Sequence, residues 1–177
     1  WKDSIEVLRQ AEKLADETDF VSVSEQAAIL LSNERTKAYR GEDFERLMIN
    51  VILALNYSAL ELREDALVEV RRVNERLQKM ISDEKKPYKQ LAIARYVGGL
   101  LYEDQGDEDS AFIDYWKAYE TNPSLGYLME SALAIAKRSG RDDQYNALRQ
   151  AHPELAETSN LKGQGQVAVI LELGRSP

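Results

Sequence analysis

The sequence predicts a mainly α-helical fold that ends in one short β-strand. Apolar residues recur at helical spacing along most of the chain, and only 9 Gly and 4 Pro punctuate its 177 residues. Near the end, Val167-Ala168-Val169-Ile170-Leu171 has the continuous apolar, β-branched character of a buried strand. The length suits one domain. Its patterning divides into N-terminal helices (1–41), helix pairs (42–153), and a loop with the terminal strand (154–177).

Ser4 is placed to cap a first helix reaching about Glu17, with Ile5, Leu8, Ala11 and Leu14 or Ala15 along one side. Asp19-Phe20-Val21-Ser22-Val23 breaks that pattern, and Ser24 opens a second helix carrying Ala27, Ala28, Leu30 and Leu31. Thr36 to Gly41 is a connection. Glu42 starts a long helix to about Leu60, and Arg63 or Glu64 starts another to about Ile81. Ser82 to Pro87 is a polar loop, because proline inside a helix removes a donor and clashes with the preceding turn. Helices from about Tyr88 to Glu103 and from Asp109 to Glu120 end at Thr121-Asn122-Pro123. Leu125–Ser139 and Asp142–Ala151 form the last pair. Gly140 closes its first helix in a left-handed conformation, and His152-Pro153 stops its second. Lys162 to Gln166 is a flexible approach to the strand.

Composition removes whole classes of chemistry. Without Cys there is no disulfide, thiolate metal site or cysteine nucleophile, and a Ser–His–Asp triad would have to use His152, the single His. With 23 Lys+Arg against 31 Asp+Glu, the net charge of −8 argues against nucleic acid, whose binding is driven by clustered cations. No run approaches the roughly 18 apolar residues of a membrane span. The start at Trp1 and the abrupt end at Gly174-Arg175-Ser176-Pro177 are expected of a segment cut from a longer protein.

Aligning the helix pairs on each other is the most informative step. Leu53, Ala54, Tyr57, Ala66 and Val70 recur 45 residues later as Gly98, Gly99, Tyr102, Ala111 and Tyr115. Ala118 follows from Val73 at the same offset, and Pro123 closes the unit. Tyr115, Ala118 and Pro123 find counterparts 30 residues on in Tyr145, Leu148 and Pro153. Small Gly98, Gly99 and Ala111 let paired helices approach closely, large Tyr102 and Tyr115 fill the space around them, and Gly106-Asp107 closes the turn.

This alternation resembles the tetratricopeptide repeat, a unit of about 34 residues built as a helix hairpin. The unit from Ala92 to Pro123 matches best, and the first departs by an insertion of about 11 residues around Met80 to Tyr88. The resemblance implies antiparallel helix hairpins of α-solenoid type. More narrowly, Tyr39–Glu45, Ala54–Tyr57 and Asp65–Asn74 resemble a group of exported bacterial tetratricopeptide-like lipoproteins that are anchored at an N-terminal Cys. That resemblance implies a periplasmic or outer-membrane-anchored location with a lipid anchor on the precursor. The cytoplasm is the alternative.

The same resemblance puts Met48, Val51, Leu55, Tyr96, Leu100 and Glu103 toward a concave face. Two readings follow. The N-terminal helices or the terminal strand fill the groove as core, or the groove takes a partner helix or extended peptide. Other candidates reduce to structure. The carboxylates from Glu103 to Asp109 resemble a calcium loop, but lack its alternating ligands and its glycine position, so they read as an acidic helix junction. Gly163-Gln164-Gly165-Gln166 precedes a strand, so a phosphate loop is not expected. Arg71, Arg72 and Arg76 read as a solvated stripe salted by Glu75. The expectation is a non-enzymatic protein-interaction module with no catalytic, metal or cofactor residues. Its alternatives are a ligand-binding or enzymatic domain completed by other parts of the chain, and a module that self-assembles through Val167–Leu173.

Overall fold

A computed structural model describes residues 1–19, 42–82 and 91–155, together with Val169. The described chain is mainly helical: α1 (Lys2–Asp19), α2 (Asp43–Ala59), α3 (Arg63–Ser82), α4 (Leu91–Asp104), α5 (Glu108–Thr121), a 3-10 segment (Pro123–Leu128), α6 (Glu130–Arg138) and α7 (Asp142–Ala151). No described helix is long and apolar enough to cross a membrane. The expected helix from Ser24, the connection at Thr36–Gly41, the loop before Pro87, the approach at Lys162–Gln166 and the terminal strand lie outside the described residues, Val169 apart.

Helix starts follow local chemistry. Glu42 lies in extended backbone before α2, and its N–H donates to Glu45 Oε2 at 2.8 Å. Asp107 accepts from the Ser110 N–H at 3.0 Å and so caps α5. Ser4 does not cap α1, which already begins at Lys2; its hydroxyl instead accepts from Asn56 Nδ2 at 2.8 Å. A tertiary partner claims the side chain that sequence assigns to the cap.

Helices α2–α3, α4–α5 and α6–α7 pack as successive antiparallel pairs, and all three close with the same turn. Glu61, Gly106 and Gly140 take the left-handed conformation, at φ 60°, 77° and 68°. The next residue's N–H then returns to the carbonyl five positions earlier: Leu62 to Tyr57 (2.9 Å), Asp107 to Tyr102 (3.0 Å) and Arg141 to Ala136 (2.9 Å). These turns are 45 and 34 positions apart. The register of the last pair is therefore 34, and the match of Tyr115 with Tyr145 at 30 is displaced by about one helical turn. A helical pattern aligns almost as well after a one-turn slip, which is why sequence accepted it. In the turn-based register, buried Ala132, Leu133, Ile135 and Ala136 stand where Gly98, Gly99, Leu101 and Tyr102 stand in α4.

One expected helix is broken. Leu125–Ser139 forms a 3-10 segment and then α6, joined at Met129. A Cβ at Gly126 would fall 1.9 Å from the His152 ring, so the segment is pressed directly onto the residue that ends α7. Pro123 starts the 3-10 segment, and Asn122 Oδ1 accepts from the Ser124 N–H and hydroxyl at 3.3 and 2.6 Å.

The core runs through the pairs, with Leu47, Val51 and Ala54 of α2, Val70, Val73 and Leu77 of α3, and Tyr115 of α5 within it. The α4–α5 contact is tightly packed. Tyr115 is fully buried, and a Cβ at Gly99 would lie 2.5 Å from its ring. Glycine there costs helix propensity of roughly 1 kcal/mol, which the burial of a whole tyrosine ring offsets.

Candidate functional site

Met48, Val51 and Leu55 share one side of α2 through spacings of three and four residues, and Tyr96, Leu100 and Glu103 do the same on α4. The two helices touch, so the two stripes lie on neighbouring elements, and a face made of both would run from α2 to α4. Val51 lies inside the core at 3% exposure. Met48, Leu55, Tyr96 and Leu100 pack against that core while staying partly exposed. The face is therefore neither sealed nor fully open.

Its end at α4 is aromatic and acidic. The Tyr96 and Tyr115 ring centroids are 5.3 Å apart, and the Tyr115 hydroxyl donates to Glu103 Oε2 at 2.7 Å. Burial, with Glu103, Tyr127 and Glu130 nearby, raises the Tyr96 pKa above the ordinary phenol value. Burial and the Glu103 carboxylate do the same to Tyr115. Both phenols therefore stay protonated, and Tyr115 donates its proton to Glu103. Tyr127, 65% exposed on the 3-10 segment, and Glu130 extend this end; sequence reading missed them because they flank the break at Met129.

Two polar clusters, also missed, lie among buried residues. In the first, Glu69 and Asn50 are fully buried and joined through Asn50 Nδ2 to Glu69 Oε2 at 2.8 Å. Around them Arg9 reaches Glu69 at 2.6 Å and Glu12 accepts from Asn50 at 2.8 Å. Arg72 and Arg76 come within 3.2 and 3.5 Å of Glu12. Two residues of the stripe read as solvated, Arg72 and Arg76, thus help dock α1, with Glu12 arriving from about sixty positions away, while Arg72 also lies 3.6 Å from Glu69. Burial raises the Glu12 pKa, but Asn50, Arg9 and Arg72 reverse this and hold the carboxyl below the usual range. Burial likewise works against the charged Arg9, yet Tyr57, Glu69 and Glu12 leave its pKa above normal.

In the second cluster, Asp114 accepts from Arg95 at 2.8 Å and from Asn74 at 3.1 Å, and Arg95 also donates to Asn74 Oδ1. Burial outweighs these partners and raises the Asp114 pKa. A depression of about 320 Å³, lined by Asn74, Arg95, Tyr102 and Asp114 among others, opens beside it. A polar residue on an otherwise apolar stripe was the available signal for both clusters: Glu69 lies between Ala66 and Val70, and Asp114 between Ala111 and Tyr115.

The acidic segment from Glu103 to Asp109 is used internally. Asp104 lies 3.8 Å from Arg63, Glu108 is 2.6 Å from Arg138, Asp109 pairs with Arg141, and Asp107 caps α5. The junction thus ties each pair to its neighbour. Among the described residues, no group of three or more His, Asp or Glu is placed to hold a metal ion. His152 sits at the C-cap of α7, as its sequence position suggests, with Nε2 3.3 Å from the Tyr119 hydroxyl and Nδ1 3.1 Å from Glu154. Comparison of the chain with protein-family models, with characterised proteins and with solved structures found no match.

Proposed function

We propose that this chain is a non-enzymatic protein-interaction scaffold of tetratricopeptide-like α-solenoid type, working in the bacterial cell envelope. The observation that carries the interaction reading is the α2–α4 face. Met48, Leu55, Tyr96 and Leu100 are apolar or aromatic yet only partly covered, and the carboxylates of Glu103 and Glu130 border them. Such a face fits an amphipathic helix or an extended peptide that offers apolar anchors and a flanking cation. The solenoid reading is supported by the repeated turn, whose last two copies are 34 positions apart, the length of the repeat. The envelope location rests on the sequence resemblance alone, and fractionation of cells expressing the full precursor tests it.

Leu100→Asp tests the interaction reading. The expected result is loss of partner cross-linking with a melting temperature within a few degrees of the parent, because Leu100 is already part-exposed. A collapse of the melting transition would instead make Leu100 a core residue and remove the face from consideration.

A further inference from the structure

Helix α1 is attached differently from the paired helices. None of residues 2–17 is buried, and none belongs to the core cluster. Ile5, Leu8, Ala11 and Ala15 are only half-buried, and the specific bonds that hold the helix are polar. Arg9 bonds Glu69 at 2.6 Å and the Tyr57 hydroxyl at 3.3 Å. Glu12 accepts from Asn50 and pairs with Arg72, while Asp16 accepts from Arg46 at 2.7 Å and lies 3.8 Å from Arg76. Arg9, Glu12 and Asp16, spaced by three and four residues, present one charged face.

The receiving surface holds together without that helix. Glu69 is bonded by Asn50 from α2, and Arg72 of α3 lies 3.6 Å away. Departure of α1 therefore leaves the buried carboxylate paired and avoids the severe cost of an uncompensated charge. Nor, among the described residues, is the seam closed around its occupant. A cleft of about 680 Å³ runs beside it, with Lys13 and Glu17 on α1 and Glu75 and Arg76 on α3 among its walls. Asn50 Oδ1, fully buried, accepts no hydrogen bond from the described residues, so the surface keeps one acceptor that α1 does not use.

We propose that the α2–α3 surface is a helix-binding site in which α1 is the resident occupant. Its partner is a helix of another protein presenting Arg, then carboxylates three and seven residues later. Charge order selects this partner: Glu69 faces the guanidinium, while Arg72, Arg76 and Arg46 face the carboxylates. The site is separate from the α2–α4 face, and α1 restrains access to it.

Two measurements on the full chain test the proposal. Native-state hydrogen exchange on the unaltered protein should give α1 amides opening independently of α4 and α5, and faster. Opening of all three as one unit would overturn it. The second uses a fluorescent peptide of residues 1–19 as the probe. Arg9→Ala weakens the resident helix but not its receiving surface, so the peptide should bind that variant roughly 10–100-fold more tightly than the parent, the worth of a hydrogen bond to a charged group. The peptide carrying Arg9→Ala should not bind. Equal binding to both chains, no binding to either, or indifference to the peptide substitution would each refute the site. Should Arg9→Ala fail to fold, Asp16→Ala, which removes a half-exposed side chain, replaces it with the same expected order. A dimer formed by exchanging α1 between copies, read by light scattering, would overturn the assignment to a separate partner protein.

Discussion

Helix α1 meets α2 and α3 mainly through guanidiniums, carboxylates and amides, whereas α5 meets α4 chiefly through a glycine, an alanine and a fully buried tyrosine ring, with one buried ion pair, Arg95–Asp114, beside them. Both are contacts between helices of one chain, but they obey different physics. The α4–α5 contact gains chiefly from dispersion and from removal of apolar area, shields its one ion pair from solvent and punishes any change of shape. The α1 contact gains from charge-assisted hydrogen bonds, and those must first overcome desolvation. The difference teaches which contact can open: a charged seam keeps partners on each side when it separates, and a ring lodged against a glycine does not.

Removing the ring should produce the largest effect. Tyr115→Ala deletes a side chain with no exposed surface and is expected to cost about 3–5 kcal/mol in urea unfolding. Gly99→Ala comes next, at about 1–3 kcal/mol, because its new methyl would sit 2.5 Å from the Tyr115 ring, which is held by Glu103 and cannot swing aside. Both losses should appear in the global unfolding transition. A change that left that transition alone and altered only the exchange of α5 amides would mean that this hairpin is as detachable as α1.

Acid separates the two regions by sign. The Glu12 carboxyl is held below the usual range by Asn50, Arg9 and Arg72, so its contribution is present above the ordinary glutamate range and is lost as pH falls through its lowered pKa. Asp114, beside Arg95, Asn74 and Lys117, is raised by burial. Its contribution is greatest below the ordinary aspartate range and declines as pH rises through its raised value. Acidification should therefore free α1 amides to exchange while α4 and α5 remain protected. Carboxyl NMR titration gives the underlying order, with Asp114 keeping its proton to a higher pH than Glu12. The reverse order would remove the proposed distinction.

The same contrast explains what sequence revealed. Gly98, Gly99, Ala111 and Tyr115 were legible because their packing is local and recurs in other units of the chain, so one alignment exposes it. The α1 seam was not, because Arg72 and Arg76 have carboxylates nearby in sequence that suffice to explain them, while Glu12 is sixty positions distant from Arg72. The face residues divided in the same way. Helical spacing placed Met48, Leu55, Tyr96 and Leu100 together, but Tyr127 and Glu130 depend on the break at Met129, set by His152 pressing on Gly126 from α7.

The smallest effect concerns the turn that the three pairs share. Two of its left-handed positions are glycine, and the first is Glu61 at φ 60°. A side chain in that conformation costs about 1–2 kcal/mol, while glycine would add backbone entropy to the unfolded chain worth about 0.4–1 kcal/mol in the opposite sense. Glu61→Gly should therefore stabilise the protein by roughly 0.5–1 kcal/mol, the difference between those terms. The gain belongs to the α2–α3 pair, on which α1 rests, so thermal melting should rise while the exchange of α1 relative to that pair stays unchanged. If α1 amides gained protection equally, its docking would be cooperative with the pair beneath it, and the seam would be part of the core's own unfolding unit.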